Sequence, residues 1–153
     1  MGASGFNIDL TSTATTATAI MTFFTQSLGT AFVDANLISA GYNLYVSPQI
    51  YRNLQRPISD GAGLVLGTIY EQLLKSGEIN SIKRTFELTG NQFFGFVPSS
   101  EYIRPLIGMA TNTVAIARTN PFDDYNFHVW GALGLEIRAD INGRSGVFYS
   151  TST

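Results

Sequence analysis

His128 is the only histidine in the chain, and there is no cysteine at all. An imidazole is the side chain best suited to move protons near neutral pH, but as a general base it needs partners held within hydrogen-bond reach. Here it stands between Phe127 and Val129. That setting predicts a solvent-facing or interface-bonded ring rather than a base. Without cysteine, disulfides, thiolate nucleophiles and sulfur-ligated metals are all excluded. Asp123-Asp124 is the one acidic doublet, and its oxygens are of the kind that bind hard cations. It follows the turn signal Asn120-Pro121, where carboxylates commonly accept from nearby backbone N–H groups. A Ser-His-Asp hydrolase built on His128 with Asp123 or Asp124 would need a nucleophile, and no Gly-x-Ser-x-Gly elbow is present. The glycine-rich run Gly61 to Gly67 lacks the Gly-Lys-Ser/Thr ending of a phosphate cradle. The chemistry-bearing residues therefore predict no enzyme, no cofactor and no metal.

The elements that would carry these residues show a clearer pattern. From Tyr125 to Ile141 every odd-numbered position is apolar or glycine. Side chains alternate faces along a strand, so Tyr125, Phe127, Val129, Leu133, Leu135, Ile137 and Ile141 share one face. Asn126, His128, Glu136, Arg138 and Asp140 share the other. At ~3.3 Å per residue such a strand reaches on the order of 50 Å, well beyond the usual length. It reads as a girder extending past one compact module, which suits an assembly subunit. Asn142-Gly143 is a strong hairpin signal and predicts that Arg144 to Ser150 returns antiparallel beside the long strand.

The chain has 153 residues, enough for one domain with a proper core. Only 13% are charged and 44% are hydrophobic, so the surface is dominated by neutral side chains, which favours association. A net charge of −2 provides no electrostatic footprint for nucleic acid. The basic pair Lys83-Arg84 reads as the solvent side of a strand, and the rings of Tyr125, Phe127 and Trp130 lack the basic neighbours that base stacking requires. No apolar run is long enough to span a bilayer, and no basic region followed by an apolar stretch opens the chain, so neither a membrane span nor a leader is expected.

Along the chain, residues 1–12 read as an extended segment. Apolar residues at helical spacing, from Ala17 through Phe24 and Leu28 to Ala35, predict a helix over 13–36. Tyr42 to Val46 reads as a strand, and Ser47-Pro48 starts a short helix that Arg56-Pro57 ends. Ile58 to Gly67 reads as a loop. Thr68-Ile69-Tyr70-Glu71 fits a capping box opening a helix to Ser76, which Gly77 stops. Ser81 to Leu88 and Gln92 to Val97 are strand-like and are expected to pair as a hairpin across Thr89-Gly90-Asn91. Further extended pieces cover Leu106 to Ala110 and Thr113 to Arg118.

This order, and the run Tyr42-Asn-Leu-Tyr-Val-Ser-Pro-Gln-Ile-Tyr-Arg-Asn-Leu54 within it, resembles the axial domain of tailed-bacteriophage major capsid proteins and the related encapsulin shell proteins. Val46 to Leu54 matches the family's strand into Ser/Asp-Pro-x-x-Tyr-x-x-Leu, Ile82 to Leu88 matches its "Ile-x-x-x-x-x-Leu" segment, and Asn126 to Arg138 looks like its return into the peripheral domain. The resemblance implies an α+β, Hong Kong 97-like fold: a central mixed sheet flanked by helices, over residues 13–124, and a long C-terminal β-hairpin of peripheral-domain type, over 125–153. Members are usually much longer, with an N-terminal arm, an extended loop and a spine helix ahead of the axial domain. The expectation is accordingly a shortened shell protein or an excised domain. The resemblance also implies a capsid (coat) subunit of a virion, assembled in the host cytoplasm from pentamers and hexamers of itself, with other virion proteins as further partners. It turns the loops Arg56 to Gly67 and Arg118 to Asp124 toward a symmetry axis. The candidate oligomer contacts are therefore Arg56, Asp60, Arg118, Asp123 and Asp124, with His128, Trp130 and Arg138 on the long strand. The alternative is a non-catalytic binding or decoration module that uses Tyr42, Tyr51, Tyr102 and Trp130 as contact rings.

Overall fold

The computed structural model describes residues 6–59 and 65–151. After an extended segment, Thr16 caps helix α1 (Ala17–Thr22) by accepting from the Ala19 N–H. The helix runs on through two π-helical stretches, Phe23–Ser27 and Gly29–Asp34. Helical backbone thus covers 17–34 rather than the expected 13–36. Residues 13–15 stay outside it, and two of their carbonyls are taken by Arg56, whose guanidinium donates to Thr13 O and Thr15 O at 2.6 Å each.

Strand β1 (Tyr42–Val46) leads straight into α2 (Pro48–Leu54). Ser47 caps α2 and is itself fully buried, accepting from the Ile50 N–H and donating to Gly90 O. Proline at the first helical position removes an N–H that no helix would satisfy. Next come β2 (Pro57–Ser59) and β3 (Val65–Thr68), which pair antiparallel. The expected loop from Ile58 to Gly67 is therefore a small hairpin, with residues 60–64 outside the described set. Helix α3 (Ile69–Lys75) begins at the predicted capping box: Thr68 Oγ1 accepts from the Glu71 N–H at 3.2 Å, and Glu71 accepts from the Thr68 N–H at 3.0 Å. Then follow β4 (Ile79–Arg84), β5 (Gln92–Phe96), β6 (Ile103–Ala115), β7 (Phe127–Ile137) and β8 (Val147–Thr151).

The central sheet has the order β4-β1-β5-β8. β4 runs parallel to β1, while β5 is antiparallel to both β1 and β8, so the sheet is mixed and the chain is α+β. The parallel β1–β4 pair needs a crossover, which α2, the small hairpin and α3 supply. One expectation is corrected here: β4 and β5 do not pair with each other, because β1 lies between them. With Tyr42, Leu44 and Val46 fully buried, β1 takes the central place, where both of its edges find partners.

Core packing decides the position of β8 as well. Phe148 sits opposite Gly95 and packs against Phe32 (ring centroids 4.1 Å) and Tyr42 (5.6 Å). Phe24 and Phe93 continue the aromatic core, at 6.0 Å. Burying a ring of this kind stabilises by roughly 1.5–3 kcal/mol. Of the expected return strand 144–150, residues 147–150 thus join the central sheet instead of pairing beside the long strand. The Asn142-Gly143 turn does form, with Gly143 at φ +77° and its N–H donating to Asp140 O at 3.0 Å, but only one bridge follows it, Ala139 to Ser145. The opposite face of the sheet carries Tyr45 stacked on Phe94 and Phe96, half-buried.

Candidate functional site

A long β-hairpin is present, and the partner of β7 in it is the preceding strand, β6. The ribbon β6–β7 pairs Ile103 with Ile137, Pro105 with Leu135, Ile107 with Leu133, Thr113 with Val129 and Ala115 with Phe127. Cross-strand partners share a face, so these residues form one almost wholly apolar surface. The other face carries Arg104 opposite Glu136, an ion pair, then Leu106 opposite Gly134, Met109 opposite Ala132, Asn112 opposite Trp130 and Val114 opposite His128. The period-2 pattern of the sequence appears as this division, although β7 covers Phe127–Ile137 and not the full run from Tyr125 to Ile141.

Register shifts fall between Ile107 and Met109 and between Met109 and Asn112. Bulges of this kind twist and dent a ribbon. The dent faces Gly131, where an added Cβ would stand 3.4 Å from Thr111. The apolar face is open to solvent: Leu133 is 77% exposed, Ile107 68% and Leu135 65%. Monomeric proteins rarely expose contiguous apolar surface on this scale, whereas interaction sites do.

The ribbon's tip is held by its own polar groups. The Arg118 guanidinium lies 4.1 Å from the Tyr125 ring centroid and donates to Pro121 O at 2.9 Å. Asp123 accepts from the Asn120 N–H at 2.8 Å, and its own N–H donates to Asn120 O at 3.1 Å. Asp124 and Phe122 face outward from this ordered turn. At the base, the Arg138 N–H donates to Tyr102 O at 2.8 Å. Asp140 nearby is held below the usual aspartate range, chiefly because its carboxylate accepts from the Arg144 N–H.

The residues singled out from sequence thus separate. Arg118, Asp123, Asp124, His128 and Trp130 lie on the ribbon or its tip, and Arg138 at its base. Arg56 is elsewhere, its guanidinium committed to the carbonyls of Thr13 and Thr15, and Asp60 lies outside the described residues. Of the rings considered for ligand contact, Tyr42 is fully buried and unavailable. Sequence reasoning missed β6 as the partner of β7, although Ile103, Pro105 and Ile107 already alternate with Arg104. Among the described residues, no group of three or more His, Cys, Asp or Glu could hold a metal ion, and His128 has the apolar Val114 opposite it.

The chain belongs to a family of unknown function (DUF6260), whose model matches residues 1–150. No curated relative matches it. Among solved structures, it resembles the virus-like particle from Pyrococcus furiosus, with a TM-score of 0.57 and 16% identity over 92% of this chain and 53% of that one. The chain therefore spans about half the length of that particle protein, with which it shares its fold.

Proposed function

We propose that this member of the DUF6260 family is a structural subunit that acts by assembling with copies of itself into a shell. The observation that carries this reading is the apolar face of the ribbon, from Ile103 and Ile137 at the base to Ala115 and Phe127 near the tip. A surface of such composition gains stability only when something covers it. The likeness to a particle-forming protein supports a sister copy as the cover. In its finer form, the reading is a major capsid subunit of a tailed bacteriophage, or one domain of such a subunit, assembled in the host cytoplasm. Its axial-type part is residues 13–124, its peripheral-type part 125–153, and other virion proteins are further partners. Arg56, Asp60, Arg118, Asp123, Asp124, His128, Trp130 and Arg138 are the proposed contact residues, with the loops of Arg56 and Arg118 both turned toward the axis. No catalytic residue, cofactor or membrane contact enters this function.

Negative-stain electron microscopy with light scattering on the purified chain tests the proposal. Shells, rings or capsomers are expected; a strict monomer at the highest attainable concentration would sink it. A second reading, a non-catalytic decoration module, draws on the stacked Tyr45, Phe94 and Phe96 of the central sheet. It would be favoured by a monomer that binds assembled particles through that face.

A further inference from the structure

Two features of the chain lie a ribbon's length apart and match each other. The first is Phe122, 99% exposed at the tip. A phenyl ring left in water forgoes its burial energy, yet the turn presenting it is ordered by Arg118, Asn120, Asp123 and Tyr125. A preordered turn that presents a naked aromatic has the form of an interface anchor, since little entropy remains to be lost on docking.

The second is a slot of about 100 Å³ between the π-helical stretch and β8. Its lining includes the buried Leu28, Phe32 and Phe148, together with Asn36, Gly143 and Ser145. Both ends of the Asn36 amide are already bonded: its oxygen accepts from the Ser145 N–H at 3.0 Å, and its nitrogen donates to Phe32 O at 2.8 Å. An apolar occupant is therefore the better fit. A closed apolar cavity of about 150 Å³ accommodates benzene, so a half-open slot of this size can take most of a phenyl ring. The charges agree as well. Asp124 lies two residues from Phe122 with no bond of its own among the described residues, and Arg144, which falls in sequence between the lining residues Gly143 and Ser145, is only loosely paired with Asp140 at 3.7 Å.

We propose that Phe122 of one copy inserts into the Leu28–Phe32–Phe148 slot of a second copy, with Asp124 of the first pairing with Arg144 of the second. The ribbon's eleven-residue strand β7 spans roughly 36 Å at ~3.3 Å per residue, so the tip does not reach its own slot without folding the ribbon back. Knob and hole on different surfaces make a head-to-tail contact, which closes into rings or propagates, as a shell requires. This inference rests on the self-assembly reading and names the contact that drives it.

The test replaces Phe122 in the full chain with the photoreactive benzoylphenylalanine, followed by irradiation and mass-spectrometric mapping. Intermolecular adducts at Leu28, Phe32 or Phe148 are expected. Adducts confined to the ribbon, adducts to lipid when phosphatidylcholine vesicles are added, or no intermolecular adduct would overturn the proposal. In parallel, Phe122→Ser should weaken self-association about 30-fold, the loss of one hot-spot anchor, with an unchanged thermal melt because the ring touches no core. Asp124→Arg and Arg144→Asp should each weaken assembly, and the double variant should restore it. If the wild type assembles and Phe122→Ser assembles equally well, this contact is wrong while the shell reading stands; if the wild type never associates, both fall.

Discussion

Ile107 and Leu133 stand directly opposite one another across the β6–β7 ribbon, and both are turned into solvent. Cross-strand apolar pairs normally stabilise a sheet by packing against a further layer, and among the described residues no other part of the chain supplies one. The ribbon is a sheet fragment awaiting its second layer. Substituting Leu133→Glu should leave folding stability within about 0.5 kcal/mol, because the position is exposed, while abolishing self-association. Urea unfolding and light scattering on the same preparation check this; persistent particles would show that the odd-numbered face is not a subunit contact.

The extended segment before α1 is tied down by side chains. The Asn53 amide, fully inside the fold, donates to Leu10 O at 2.7 Å and Ser12 O at 3.1 Å, while Asn91 donates to Ile8 O and accepts from the Leu10 N–H. Asn53→Ala should cost about 2 kcal/mol by stranding two carbonyls. Hydrogen exchange should quicken across residues 6–16 before it does in β1 or β5. Uniform exchange throughout the chain would argue against a separately pinned segment.

Gly95 lies under the Phe148 ring, where an added Cβ would come within 2.5 Å of ring carbon and 3.1 Å of Asn43 O. The strand is held between β1 and β8, so the backbone has little freedom to yield. Gly95→Ala should destabilise by about 1–3 kcal/mol, as overpacking does. Adding Phe148→Leu should cost less in that background than in the wild type, which a double-mutant cycle measures.

Tyr42 is fully buried, and its hydroxyl has no partner among the described residues. Burial, with Glu78 adding to it, raises its ionisation well above the ordinary tyrosine value. A raised folded value means that the stabilising contribution is complete below pH about 10 and is lost above it, as the unfolded tyrosine ionises while the folded one holds its proton. Wild-type stability should therefore fall more steeply above that pH than that of Tyr42→Phe. At neutral pH the variant should be as stable as the wild type or slightly more so, because no hydrogen bond is removed. Parallel alkaline and neutral denaturation curves check both statements.

Local order was legible from residues a few positions apart. The odd-even alternation in 127–137, the Ser47-Pro48 helix start and the Thr68–Glu71 capping box each depend on spacings of two to four residues, and each appears in the fold. Strand partnership was not legible in the same way. Gln92 to Val97 follows Ser81 to Leu88 across a good turn, yet β1 separates them, and 144–150 follows a good hairpin signal, yet its residues 147–150 pair with β5. Arg56 read as the first residue of a loop, and nothing in its neighbourhood foretold that its guanidinium binds carbonyls more than forty positions earlier.

The amino-acid sequence by itself determined the starts of α2 and α3 and the apolar face of β7, because capping and periodicity are properties of neighbouring residues. Only the tertiary structure decided which strand lies beside which, because that choice follows from burying Tyr42, Phe93 and Phe148 against one helix, a contest among segments far apart in the chain. The same contest left the ribbon's apolar face without a cover from the other described residues.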